Sequence, residues 1–248
     1  MPTPTSLQKT VLLIGASRGL GFAMAEEFLK RGDKVIATGR ESSKEPLYRL
    51  AEKYPDSLEV ETADITVPEQ VNALHERLAE RRFDLLFVNA GVKNDDRETI
   101  ADVSTEEFNR VMVTNALSPL RVIETFKDRV THGGTIGVMS SGQGSLTNNT
   151  NGKFEVYRAS KYALNMLMRS YAARNSNDPR TLLLMAPGWV RTELGGSEGR
   201  LSIEESIPNL LNTIEAYAGL PRLPGQNRSL VIALTHETDP FAGATERL

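Results

Sequence analysis

The chain has 248 residues, 40% hydrophobic and 25% charged, with a formal net charge of -3 and no cysteine. That balance suits a globular core, excludes disulfides and thiolate metal sites, and argues against nucleic acid or anionic lipid as the main partner. Met1 to Thr10 lacks the basic-then-apolar pattern of a signal peptide, and no apolar run reaches membrane-spanning length, so a cytoplasmic protein is expected.

Short apolar runs alternate with helical patterns along the chain. Strands are predicted at Thr10–Ile14, Lys34–Thr38, Leu58–Thr62, Asp84–Val88, Thr135–Met139, Thr181–Met185 and Ser229–Ala233. Helices are predicted at Gly19–Arg31, Glu45–Lys53, Pro68–Arg81, Thr105–Arg129, Tyr157–Asn175 and Ile203–Tyr217. Runs such as Val11 to Ile14 and Leu85 to Val88 lack polar alternation, as strands covered on both faces do. The β/α alternation predicts one α/β domain over residues 1–248. Its expected form is a Rossmann-type, doubly wound, predominantly parallel seven-stranded sheet with helices on both faces.

The first predicted strand runs into Gly15, Ala16, Ser17, Arg18, Gly19, Leu20 and Gly21, which open a helix. Glycines there allow a tight turn and close backbone approach, while the helix start offers N–H groups to a pyrophosphate. A plain strand-to-helix turn is the bland alternative. An NAD site usually has an acid near the end of the second strand, but here that strand leads through Gly39 to Arg40. Arg40 and Arg18 are expected to converge on a 2′-phosphate, which favours NADP(H) over NAD(H).

Tyr157 and Lys161 stand four apart in a helical pattern and share a face. An ammonium beside a phenol lowers its pKa toward a useful acid–base range, so Lys161 is expected to act on Tyr157 in that way. Ser140 and Ser141 end the fifth strand at the carboxyl edge, where a hydroxyl can polarise a substrate carbonyl.

Taken together, the chain resembles the short-chain dehydrogenase/reductase family over almost its whole length. The family's glycine motif matches Gly15, Gly19 and Gly21; its acid after the third strand matches Asp64, followed by Ile65; its Asn-Ala-Gly matches Asn89, Ala90 and Gly91. Its catalytic asparagine, serine, tyrosine and lysine match Asn115, Ser141, Tyr157 and Lys161, and its Pro-Gly matches Pro187 and Gly188, with Val190 and Thr192 following. The sequence around Tyr157 is most similar to a C-factor-like carbonyl reductase branch. The resemblance implies an adenine contact at Asp64 and Ile65, a relay water positioned by Asn115, and a ribose held by Lys161. It also implies a small carbonyl or alcohol substrate, and a homodimer or homotetramer built on the long helices. Alcohol oxidation, or a dinucleotide-sensing role with little turnover, is the alternative.

Two departures from the family stand out: the asparagine-rich stretch between Ser141 and Tyr157, and the polar tail His236 to Leu248. Gly195, Gly196 and Gly199 suggest a flexible substrate lid at about 189–218. Trp189 lines the pocket or packs the base of that loop. His75, His132 and His236 have no ligand spacing and read as surface groups, Asp95 and Asp96 as a solvated loop, and no metal is expected.

Overall fold

The structure is a computed structural model that describes residues 8–218 and 230–234. Its strands are β1 (Thr10–Ile14), β2 (Lys34–Gly39), β3 (Leu58–Thr62), β4 (Phe83–Val88), β5 (Val130–Met139) and β6 (Thr181–Ala186). They pair in parallel in the order β3-β2-β1-β4-β5-β6, and the backbone of β7 (Leu230–Leu234) pairs in parallel with β6. The predicted tail from His236 lies outside the described residues. Between the strands lie α1 (Gly19–Lys30), α2 (Glu45–Lys53), α3 (Pro68–Arg77), α4 (Thr105–Met112), α5 (Ser118–Phe126), α6 (Glu155–Arg174) and α7 (Ile203–Tyr217).

Strand side chains alternate between two cores, as the pleat requires. Leu12, Ile14, Leu86 and Val88 point to one, with Val122, Ile123 and Phe126 of α5 and Leu164 and Met168 of α6. Val11, Leu13, Leu85 and Phe87 point to the other, with Met24 and Phe28 of α1, Leu47 of α2 and Leu210 and Leu211 of α7. Both faces are therefore covered, which explains why these strands read as continuous apolar runs. The chain winds outward from β1 through β2 to β3, then crosses back to β4 on the far side of β1. The crevice at that reversal is where open sheets of this kind receive ligands.

The helix expected over Thr105–Arg129 is not uniform. After Met112 the backbone opens into a π-helical turn, Val113–Leu117, before α5 resumes. Pro119 supplies the reason: it has no N–H to donate to the Asn115 carbonyl, and its ring crowds that oxygen. Strand β5 also begins earlier than expected, at Val130, which pairs with Phe83 across a register shift. Gly133 and Gly134, outside the predicted strand, lie inside the observed one.

Candidate active site

The turn after β1 is built by neighbouring strands. The Gly15 N–H donates to Thr38 Oγ1 at 3.0 Å, and Asn89 Nδ2 donates to the Gly15 carbonyl at 2.7 Å. Gly15 has φ +84°, and a Cβ there would lie 2.7 Å from Ala90. A Cβ on Gly21 would lie 2.2 Å from the Gly15 oxygen, so α1 meets the strand too closely for any side chain. Asn89 and Ala90 thus shape the turn directly. Helix α1 starts with no side-chain cap and no acid in its first turn, leaving its first N–H groups without such partners. By contrast, Ser104 caps α4 and Ser202 caps α7. This cradle fits a dinucleotide diphosphate, which the free N–H groups and the helix dipole would hold.

Arg40 follows β2, is exposed, and has no hydrogen bond or ion pair from its guanidinium among the described residues. Ser17 Oγ accepts from Ser43 Oγ at 3.2 Å beside it, and Lys44 packs against Gly39 and binds Glu41. Sequence reasoning passed over Thr38, Ser43 and Lys44, because nothing in their spacing marks them. Arg18 does not join Arg40. Instead it pairs with Glu193 at 2.5 Å, from the loop after β6, so the expected convergence of two arginines is absent here. Asp64 Oδ1 accepts from both the N–H and the hydroxyl of Thr66, and Ile65 is buried in the core. Of Ile65, only the backbone is available to an adenine.

At the carboxyl ends of β4 and β5 the four expected tetrad positions come together. Lys161 is 3% exposed; its Nζ donates to the Met139 carbonyl at 2.9 Å and lies 5.8 Å from the centre of the Tyr157 ring. A Cβ on Gly91 would lie 3.5 Å from Asn115 Oδ1 and 3.6 Å from Lys161 Nζ, so Gly91 leaves this corner open. Ser141 Oγ accepts the Gln143 N–H at 3.1 Å, which leaves the Ser141 proton free to be donated. Asn115 is fully buried: Nδ2 donates to the Val92 carbonyl and to Ser160 Oγ, and Oδ1 accepts the Val92 N–H.

The electrostatics differ from the sequence expectation. Burial pushes the Tyr157 phenol up to about 12, and Ser141 pulls it only partly back. Burial likewise lowers the Lys161 ammonium to about 8. The expected lowering of the Tyr157 pKa by Lys161 is therefore not present among the protein groups alone. Desolvation is the larger cause for Tyr157 and the one cause for Lys161, whose ammonium is buried, while Tyr157 itself is only partly buried.

The loop after β6 is closed by its own hydrogen bonds. Trp189 Nε1 donates to the Gly195 carbonyl, the Arg191 N–H to the Leu201 carbonyl, and Arg191 Nη1 to the Gly199 carbonyl. A Cβ on Gly195 would lie 2.0 Å from the Val190 oxygen, and one on Gly199 would lie 2.5 Å from the Arg191 nitrogen. These glycines answer close packing. Trp189 is 49% exposed despite its bond to the Gly195 carbonyl, and Val190 is buried. A Cβ on Gly19 would lie 4.0 Å from the Thr192 side chain, so the loop lies against the glycine turn. Gly188 turns with φ +83°, and the buried Ser206 hydroxyl of α7 donates to the Pro187 carbonyl. His75 is less a surface group than expected: its ring meets Phe126 edge-on and accepts from Arg129. Asp95 and Asp96 pair with Arg97 and Lys93. Among the described residues no cluster of His, Cys, Asp or Glu could hold a metal, and no helix is long and apolar enough to cross a membrane.

The sequence pattern of the family described as short chain dehydrogenase matches residues 9–200. The chain belongs to that family. Among solved relatives of this short-chain dehydrogenase is a short-chain dehydrogenase/reductase from Burkholderia multivorans with bound NADP, at 53% identity and a TM-score of 0.86. That match covers 92% of this chain and 96% of the other. A carbonyl reductase from Pseudomonas aeruginosa PAO1 in complex with NADP is 36% identical, with a TM-score of 0.82 over 92% of this chain and 96% of that one. The C-signal protein of Myxococcus xanthus is 34% identical over 134 residues, 53% of this chain and 80% of its own. The chain is thus a dehydrogenase/reductase with carbonyl reductases among its relatives, and its fold is that of a nicotinamide dinucleotide oxidoreductase.

Proposed function

We propose that this protein is a cytoplasmic, NADPH-dependent reductase of a small ketone or aldehyde, built as one domain on a seven-stranded sheet. The single observation that carries this reading is geometric: Lys161 Nζ lies 5.8 Å from the centre of the Tyr157 ring, at the carboxyl edge of the sheet where Asn115 and Gly91 also meet. Reduction needs a proton donor at the carbonyl oxygen, and a neutral phenol is one.

The residues fit a bound dinucleotide in a definite way. Gly15, Ser17, Gly19, Leu20 and Gly21 would hold the diphosphate, and Arg40 the 2′-phosphate, with Arg18 joining once released from Glu193. Asp64 and the Ile65 backbone would border the adenine. Asn89, Ala90 and Gly91 would border the ribose that Lys161 holds, and Pro187, Gly188, Val190 and Thr192 the nicotinamide end. When bound, the nicotinamide supplies the hydride. Tyr157 then donates its proton to the carbonyl oxygen, while Ser141 donates a hydrogen bond to the same oxygen and fixes its position. Asn115 has its side chain committed to Val92 and Ser160. Its backbone carbonyl, deprived of an N–H by Pro119, is the group that would meet a relay water. The segment at about 189–218 serves as the substrate lid and moves as a tied unit. Leu117, Met166 and Leu167, exposed around α5 and α6, support a homodimer or homotetramer through those helices.

Tyr157→Phe tests the assignment. Ring packing is retained, so NADPH affinity measured by fluorescence is expected to stay near normal. Single-turnover ketone reduction should fall by about 10²–10⁴-fold, the usual worth of general acid catalysis. Near-normal reduction would overturn the role of Tyr157. Tight NADPH binding with no turnover of any carbonyl by the unmodified protein would favour a sensing role.

A further inference from the structure

The loop from Ser141 to Tyr157 runs over a buried charge that the proposed chemistry does not use. Arg158 directly follows the proton donor and is only 6% exposed. No carboxylate pairs with it among the described residues. A buried cation without an anion is costly, and sites that retain one generally do so for function.

Its guanidinium is committed to the loop. Nε donates to the Lys153 carbonyl at 2.7 Å and Nη2 to Asn151 Oδ1 at 3.3 Å, while Nη1 is buried without a partner. Asn151 Oδ1 also accepts the Lys153 N–H at 3.1 Å, and Asn149 Oδ1 accepts the Gly152 N–H at 3.1 Å. One planar fork therefore holds a short series of side-chain-closed turns. Phe154 comes next, with φ 61° and ψ 40°, the one non-glycine residue in the left-handed region among those described. The Arg158 N–H donates to the Phe154 carbonyl at 2.8 Å, the first helical bond of α6. From the other side, the Glu155 carboxylate accepts the Ile100 N–H at 2.6 Å and ties the helix start to the loop after β4. A strained backbone and an uncompensated cation thus lie within four residues of the reacting phenol, where surrounding structure must over-determine them.

We propose that Arg158 is a positioning residue for the reductase reaction: its guanidinium holds Asn149–Phe154 in the path that frames the substrate between Ser141 and Tyr157. It governs substrate binding, acting through the loop, and takes no part in proton transfer. The inference rests on the reductase reading above.

Arg158→Met, Arg158→Lys and Asn151→Ala, compared with the unmodified protein, test it. The readouts are kcat and KM for a ketone that the unmodified protein reduces, NADPH affinity by fluorescence, and hydrogen exchange at Gly152 and Lys153. Arg158→Met is expected to raise KM by about tenfold or more, the usual scale for losing a charged hydrogen bond. NADPH affinity and kcat should stay within about twofold, and exchange at both amides should accelerate. Asn151→Ala should move KM and exchange the same way by less. Arg158→Lys should recover only part of the loss, because one ammonium cannot replace a fork. Unchanged KM and exchange in Arg158→Met would overturn the proposal, as would equal losses of KM and NADPH affinity in both Arg158→Met and Asn151→Ala. If Arg158→Met fails to fold, the exposed Asn151→Ala decides alone: faster exchange with raised KM supports the clamp, and no change overturns it. Failure of the unmodified protein to reduce any ketone would defeat the reductase reading, while the exchange data would still report on the clamp.

Discussion

Consider replacing Lys161 by methionine, which keeps most of the side-chain volume and removes the buried ammonium. The ammonium is lowered from 10.5 to about 8 by burial, a displacement equivalent to about 3 kcal/mol against the charged form. Between about pH 8 and 10.5 the unfolded chain holds a proton that the folded protein has lost, so stability attributable to this group rises with pH in that window. Below pH 8 both states are charged and the whole penalty applies. Losing the hydrogen bond to the Met139 carbonyl offsets about 1 kcal/mol of the gain. Lys161→Met should therefore be about 2 kcal/mol more stable than the unmodified protein at pH 7, with the gap closing as pH approaches 10.5. Tyr157, displaced upward, binds its proton more tightly when folded; its contribution is lost as pH rises from about 10 to 12, equally in both proteins. Urea unfolding of both at several pH values from about 6 to 10 reads the difference directly. A variant no more stable at pH 7, or a gap independent of pH, would refute the reasoning. Activity and NADPH affinity should meanwhile fall sharply, so this stabilising change would cost function.

Two further outcomes concern the cofactor. Arg40→Asp should weaken NADPH binding by about ten- to hundredfold relative to NADH, the range for one charged hydrogen bond; equal use of NADH and NADPH by the unmodified protein would remove the basis for this. Glu193→Gln releases Arg18 from its exposed pair, so NADPH affinity should rise by about two- to threefold at low salt and return to normal at high salt. An affinity that is unchanged at low salt would show that the pair does not compete with the cofactor.

How far the sequence revealed this arrangement depends on the range of the forces involved. The glycine turn and the helix face shared by Tyr157 and Lys161 were legible because local spacing sets them. Asn115 could be placed by motif, but its π-helical turn was hidden in a pattern that looked uniformly helical; Pro119, four residues on, was the available signal. Gly195 and Gly199 carry a requirement that composition could not show: contacts with Val190 and Arg191 require them to be small. The Tyr157 and Lys161 pKa values could not be read from spacing at all, since desolvation depends on everything packed around them. Arg158 looked like an ordinary charged neighbour of the motif, and only the structure shows that it is buried with no carboxylate paired to it among the described residues.

The division of the strands between two cores has a consequence for how damage propagates. Leu85 and Leu86 are adjacent in β4 yet belong to clusters on opposite faces of the sheet. Their truncations should behave almost as independent injuries, whereas Leu86 and Ile123, 37 positions apart and in one cluster, should interact. Thermodynamic kinship in this molecule skips along the chain in steps of two, so a pair of neighbouring substitutions is a poor probe of a single core and a good probe of both at once.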